Sequence, residues 1–287
     1  MLTNKVALIT GSSRGIGRAI ALGLAKENYN IVVASKSVTE TKELPGTIYS
    51  VADEVEKLGV KALPLKLDVR NDSDMKNVVE QTIKQFGRID VLVNNAGALW
   101  WKSIEETPIK KYDLINAINA RASFYLSKLC IPEMEKNDGG HIIMQSPPLT
   151  IGSTLAFPLS HFKGKTGYMI SKLGMTMTAL GIAEEYKGKN IAANTLWPMT
   201  PIESYALKNH NLGTPEHWRK EDILVDSVKS IIQEDPLSFS GNQLIDELYL
   251  KSKGVTDFTQ YQCVPGSEPP KLDNIQHMWN AGAVSNM

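Results

Sequence analysis

The chain has 287 residues, 42% of them hydrophobic and 22% charged, an ordinary balance for a globular protein able to bury a substantial core. Thirty-one basic residues match thirty-one acidic ones, which argues against a nucleic-acid footprint or a polybasic membrane surface and points to a small-molecule partner. Cys130 and Cys263 make no zinc spacing or disulfide framework, and no signal segment or apolar run of about 18 residues is present, so the expectation is a cytoplasmic protein without membrane insertion.

In chain order, apolar runs of strand length alternate with helical patterns. Val6-Ala7-Leu8-Ile9 predicts a strand, followed by a helix over residues 16–27. Residues 31–34 predict a second strand, and 49–58 carry apolar residues at helical spacing. Residues 63–69 and 91–93 read as strands flanking a helix over 75–86. Residues 141–144 and 191–196 are strands on either side of a long helix over 167–187. Continuous apolar strands alternating with helices predict an α/β fold: a Rossmann-like doubly wound parallel sheet in three αβα layers. One domain is expected over residues 1–263. Residues 200–218, with Pro201, Gly213 and Pro215, read as an irregular flap or short helices over an opening, and 264–287, with Pro265, Pro269 and Pro270, as a C-terminal tail.

Between the first strand and its helix lies Thr10-Gly11-Ser12-Ser13-Arg14-Gly15-Ile16-Gly17. Glycines there permit a tight turn and close backbone approach, placing a pyrophosphate on the helix N-terminus. Gly11, Ser13, Arg14, Gly15, Ile16 and Gly17 are therefore candidate nucleotide-binding residues. At the end of the second strand an acidic side chain would repel a 2′-phosphate, but the chain has Ser35-Lys36. Lys36 and Arg14 together favour NADP(H) over NAD(H).

These motifs, with Asp68-Val69, Asn94-Asn95-Ala96-Gly97, Asn119 and Tyr168-Met169-Ile170-Ser171-Lys172, resemble the short-chain dehydrogenase/reductase family over residues 5 to about 250. The resemblance implies that Asp68 and Val69 lie by the adenine, and Asn95, Ala96, Gly97 and Pro198 along the cofactor. It further implies that Lys172 binds the nicotinamide ribose and that Asn119 holds a water linking the lysine to solvent. Residues four apart share one helix face, so Lys172 can sit beside the Tyr168 phenol and stabilise its phenolate. Tyr168 would then give a proton to a carbonyl or take one from an alcohol.

The resemblance places a serine at the end of the fifth strand, often the second of a Ser-Ser pair, and Gln145-Ser146-Pro147-Pro148 puts Pro147, which has no donor, in that place. Neighbouring Ser146 is the candidate to fill that role. Ser146-Pro147-Pro148 and Leu196-Trp197-Pro198 resemble the hydroxysteroid dehydrogenase-like subgroup, some of whose members are linked to lipid metabolism in mitochondria or peroxisomes. Pro198-Met199 replaces the family's usual Pro-Gly.

Trp100, Trp101, Leu155, Phe157, Phe162, Trp197 and Tyr205 are candidates to line an apolar pocket for a lipid-like carbonyl or alcohol, while His161 reads as a loop residue. A catalytically weak NADP(H)-binding sensor or scaffold is the rival reading, supported by the missing serine. An enoyl-thioester reductase fits less well, because those similar to the bacterial enzymes space Tyr and Lys more widely. The resemblance also implies a homodimer or homotetramer.

Overall fold

The computed structural model describes residues 4–41, 45–151, 154–155, 159–209 and 211–272. The first half runs β1 (Val6–Thr10), α1 (Gly15–Lys26), β2 (Asn30–Ser35), α2 (Ile48–Glu56), β3 (Ala62–Lys66), α3 (Asp72–Phe86) and β4 (Val91–Asn94). There follow α4 (Ile109–Asn116), a π-helical turn (Ala117–Arg121), α5 (Ala122–Lys136), β5 (Gly140–Gln145) and the short pair β6 (Thr150–Ile151) and β7 (Thr154–Leu155). The chain continues through α6 (Thr166–Glu185), β8 (Ile191–Trp197), α7 (Tyr205–Asn209), α8 (Asp222–Ile231), β9 (Gln243–Ile245) and α9 (Asp246–Ser252).

Every residue of β1, β2, β4 and β5 is buried, as a parallel strand covered on both faces requires. The main sheet is parallel throughout, in the order β3-β2-β1-β4-β5-β8-β9. One core layer packs Ile20 and Leu24 of α1, Val51 of α2 and Ile223 of α8 against it. The other packs Met75 of α3, Leu126 of α5 and Met175 of α6. This is the expected Rossmann-like, three-layer architecture. Strand order reverses between β1 and β4, so their diverging loops leave a crevice at the carboxyl edge of the sheet.

Local signals agree with this frame. Thr47 caps α2 by accepting from Ser50 N at 3.0 Å, and Asn71 caps α3 by accepting from Ser73 N at 3.0 Å. α4, α5, α8, α9 and β9 were not anticipated. The buried face of α5 alternates Ala122, Ser123, Leu126, Ser127 and Cys130, and its small and polar members hide the apolar stripe. β3 stops at Lys66 rather than 69, because it is an edge strand with a partner on one side only.

The segment over 200–218 contains α7 and a short helical turn at Pro215–His217, the short helices expected there. Of the expected tail, Leu272 N donates to Met199 O at 2.9 Å and Lys271 Nζ bonds Glu247 at 2.7 Å; residues 273–287 lie outside the described residues. Among the described residues no helix is long and apolar enough to cross a membrane.

Candidate active site

Two connected cavities occupy the crevice. The first is walled by the Gly-rich loop, Lys36, Asp68, Val69, and Asn95 to Gly97. The second holds Tyr168, Lys172, Pro198, Trp101 and Trp197. Ile16, Asn95, Ser204 and Ala206 line both, so the two are halves of one cleft. All residues singled out for the cofactor in the sequence stand on its walls.

The loop is held in shape by its neighbours. Thr10 Oγ1 accepts from Asn95 N at 3.0 Å and Ala96 N at 2.9 Å, while Asn95 Nδ2 donates to Thr10 O at 2.9 Å. Gly11 and Gly15 have φ of +68° and +54°, the left-handed region that favours glycine. A Cβ on Gly17 would lie 2.4 Å from Gly11 O. The backbone thus turns tightly at the N-terminus of α1, a cradle suited to phosphate.

Arg14 donates to Pro45 O at 3.0 Å, Gly46 O at 2.9 Å and Ser37 Oγ at 3.1 Å, so its guanidinium also organises the far wall. Lys36 is exposed at the rim. Its charge, after that of the hydrogen-bonded Arg70, helps hold the Asp68 carboxyl down at about 2. The cradle and the side chains around it fit a dinucleotide.

On α6, Tyr168 and Lys172 lie one turn apart and are 9% and 6% exposed. Burial lowers Lys172 to about 8 and pushes the Tyr168 phenol up. The expectation that the ammonium lowers the phenol is therefore not met in this state, since desolvation favours the uncharged form of both. Lys172 Nζ donates to Gln145 O at 2.7 Å. Asn119 sits on the π-helical turn, where its Oδ1 accepts from Ala98 N at 2.8 Å and its Nδ2 donates to Ala98 O at 3.0 Å and Ser171 Oγ at 2.9 Å. It clamps the loop after β4 to α6. A Cβ on Gly97 would lie 3.4 Å from both Asn119 Oδ1 and Lys172 Nζ, so these groups converge.

Ser146 requires a correction. Its side chain is fully buried with Oγ 3.0 Å from Thr176 Oγ1 in α6, and it is absent from the cavity wall. Strand alternation explains this: successive side chains at the end of β5 point to opposite layers, and Ser146 takes the α6 side. Thr176 also donates to Pro147 O at 2.6 Å, fixing that arrangement.

Gln145, which no motif marked, stands on the cavity wall instead, as do His161 and Lys165. Burial lowers His161 to about 4 and Lys165 to about 8. His161 is thus more than the loop residue expected; nothing in its sequence surroundings signals that its turn folds over the cleft. Among the aromatic candidates, Trp101 meets Tyr168 edge-on at 6.2 Å and Trp197 lines the same cavity. Trp100 lies outside it beneath Lys111, and Tyr205 lines the first cavity instead. Phe162 packs against the cluster around Tyr168. The Leu155 side chain and Phe157 lie outside the described residues.

The short chain dehydrogenase family profile matches residues 5–210. Hydroxysteroid dehydrogenase-like protein 2 of Homo sapiens is 44% identical over 268 residues, covering 92% of this chain and 62% of that protein. The chain therefore spans less than two thirds of that relative's length. The crystal structure of a putative dehydrogenase from Xanthomonas campestris matches with a TM-score of 0.87 and 35% identity, covering 94% of this chain and 97% of that one. A 7α-hydroxysteroid dehydrogenase complexed with NADH and 7-oxo glycochenodeoxycholic acid matches with a TM-score of 0.69 and 26% identity, covering 85% of this chain and 93% of that one. Fold, cleft and relatives agree: the chain belongs to the short-chain dehydrogenase family, oxidoreductases that bind a nicotinamide cofactor.

Proposed function

We propose that the protein is an NADP(H)-dependent oxidoreductase that interconverts a carbonyl and an alcohol on a hydrophobic, lipid-like small molecule. The observation that carries this reading is the union of the two cavities, with Tyr168 and Lys172 facing an apolar space that opens directly from the Gly-rich cleft. The neighbour bound to NADH shows that the fold alone does not choose the cofactor. The choice of NADP(H) rests on Lys36 and Arg14 and on the lack of a carboxylate at position 36.

Bound NADPH supplies the hydride. The chain's own residues do the rest. The Gly-rich loop and the N-terminus of α1 hold the pyrophosphate, with Gly11, Ser13, Gly15, Ile16 and Gly17 along it. Asp68 and Val69 flank the adenine, and Asn95, Ala96, Gly97 and Pro198 guide the nicotinamide half. Tyr168, kept protonated by its burial, donates its phenolic proton to the nascent alkoxide. Lys172 holds the ribose hydroxyls, and Asn119 fixes the backbone that positions both. Trp101 and Trp197 exclude water and give the substrate an apolar wall.

Phe124, Ile170 and Met177 are 58%, 47% and 58% exposed on the adjoining helices α5 and α6, which supports a homodimer or homotetramer formed through this face.

The test is fluorescence titration with NADPH and NADH, followed by turnover of apolar ketones. Tight NADPH binding with turnover reduced at least 10²–10³-fold by Tyr168→Phe is the expected result. Binding without turnover of any carbonyl favours the sensor or scaffold reading, whose supporting observation is the lack of a Ser146 hydroxyl in the cavity.

A further inference from the structure

The carbonyl oxygen of a substrate beside Tyr168 needs a second hydrogen-bond donor, one that holds the ground state and stabilises the charge growing in the transition state. The strand-end position that carries a serine in the resembling family is Pro147, and Ser146 is turned onto Thr176. Neither supplies that donor.

Gln145 has the attributes required. It ends β5, is 7% exposed, and lines the cavity that holds Tyr168 and Lys172. Its Nε2 is buried and has no hydrogen-bond partner among the described residues. A buried amide donor without an acceptor is unfavourable in a folded protein, and a ligand oxygen would relieve it. The main-chain oxygen of the same residue accepts from Lys172 Nζ at 2.7 Å, so the base of the side chain is anchored to the turn of α6 that follows Tyr168.

Alternation supplies the direction. Gln145, the last residue of β5, lines the cavity, whereas Ser146 turns its hydroxyl to Thr176 of α6 on the other side. The longer glutamine side chain spans part of the roughly 6–7 Å between alternate strand residues and brings its amide toward the place of the absent hydroxyl.

Resting on the proposed carbonyl–alcohol activity, we propose that Gln145 is a catalytic residue whose Nε2–H bonds the substrate's carbonyl oxygen, in place of the serine this chain lacks. In reduction, the carbonyl carbon gains the hydride that bound NADPH supplies, and the π pair moves onto oxygen. That oxygen takes the Tyr168 proton, while Gln145 keeps both of its own protons. In the reverse direction the amide bonds the alkoxide left when Tyr168 removes the alcohol proton. Because an amide does not titrate, this contribution is independent of pH.

Thr200 is the competing donor, since its Oγ1, on the same cavity wall, is also buried without a partner among the described residues. It follows Pro198 on the loop after β8, whereas Gln145 ends β5 and its main-chain oxygen is bonded to Lys172.

The experiment uses the full chain with NADPH and three apolar ketones: 2-decanone, acetophenone and 9,10-phenanthrenequinone. Gln145→Leu is expected to lose roughly 100-fold in kcat/KM with NADPH affinity unchanged, and Thr200→Val to lose less than fivefold. Gln145→Glu is expected to regain activity as pH falls, because only its protonated carboxyl can donate. Infrared difference spectra of carbonyl-labelled acetophenone with enzyme and NADP+ are expected to show a red-shifted stretch that moves back in Gln145→Leu. Wild-type turnover that survives Gln145→Leu, a loss found only in Thr200→Val, an unmoved carbonyl stretch, or an equal loss of NADPH affinity overturns the role of Gln145 alone. No turnover of any ketone by the wild type withdraws the proposed function and this role with it.

Discussion

Lys172 Nζ donates to the main-chain oxygen of Gln145 at 2.7 Å, joining the first half of α6 to the carboxyl end of β5. The bond holds a lysine inside the protein at the cost of its hydration, and burial accordingly lowers it to about 8.

That burial has a signature in stability. The unfolded lysine titrates near ~10.4, so between roughly pH 8 and 10 the unfolded chain binds more protons and stability rises with pH. Below this window both states are protonated, and the buried charge exerts its full cost. Lys172→Met is expected to be more stable than wild type at neutral pH, by about 1–3 kcal/mol, and the difference is expected to shrink as pH rises through the window. Lys165 is lowered to about 8 as well and adds a slope of the same sign, so the quantity to compare is wild type minus variant. Urea unfolding at several pH values measures it; an unchanged or lower stability at neutral pH would contradict the assignment.

At the rim, Lys36 is exposed, and Asp68 is the nearby carboxylate that feels its charge. Lys36→Glu should weaken NADPH binding roughly 10–100-fold and leave NADH binding within a few-fold, since only the former brings a 2′-phosphate to that position. Equal effects on both nucleotides would show that Lys36 does not read the phosphate. Arg14 is a poorer probe, because its bonds to Pro45 and Gly46 shape the wall itself.

Two glycine substitutions of the same kind should have opposite signs. In Gly17→Ala the new Cβ would meet Gly11 O at 2.4 Å and Asn95 Nδ2 at 2.6 Å, so the loop and β4 must move apart. A loss of about 1–3 kcal/mol and at least tenfold weaker NADPH binding are expected. Gly181, inside α6, has nothing within 4 Å of a new Cβ, so Gly181→Ala should stabilise by about 0.5–1 kcal/mol. Thermal unfolding of the pair reads both.

For self-association, the double substitution Phe124→Glu with Met177→Glu places charge on the exposed apolar face of α5 and α6. Light scattering coupled to size exclusion should then report a smaller species than for wild type. A monomeric wild type would remove the basis for an oligomer through this face.

Much of the molecule could be read without coordinates. The strands β1, β2, β4 and β5 are built on continuous apolar runs because both faces are covered, and covered strands need no polar alternation, while β8 stays buried although Asn194 and Thr195 interrupt its run. The Gly-rich loop was equally legible, since it lies between a strand and a helix and its geometry depends on glycines at fixed spacing. Tyr168 and Lys172 are legible through the family motif they resemble, since a four-residue helical spacing alone is common. α4 buries Ile115 alone and so carries no apolar stripe, and in α5 small and polar side chains interrupt the stripe.

Ser146 and Gln145 show where local reasoning stops. Adjacent in sequence, they point to opposite layers, and which of them meets the cavity depends on how β5 leaves the sheet beside β8 and α6. His161, Lys165 and Thr200 reach the same cavity from a turn and a loop whose courses are set by packing rather than by local pattern. The sequence by itself determined the alternation of β1, β2, β3, β4, β5 and β8 with α1, α2, α3 and α6, the phosphate-binding turn and the Tyr168–Lys172 pair, because each depends on spacing within one or two elements. Only the tertiary structure decided which side chains face the substrate cavity and which titratable groups lose their water, because those outcomes depend on side chains brought together from segments far apart in the chain.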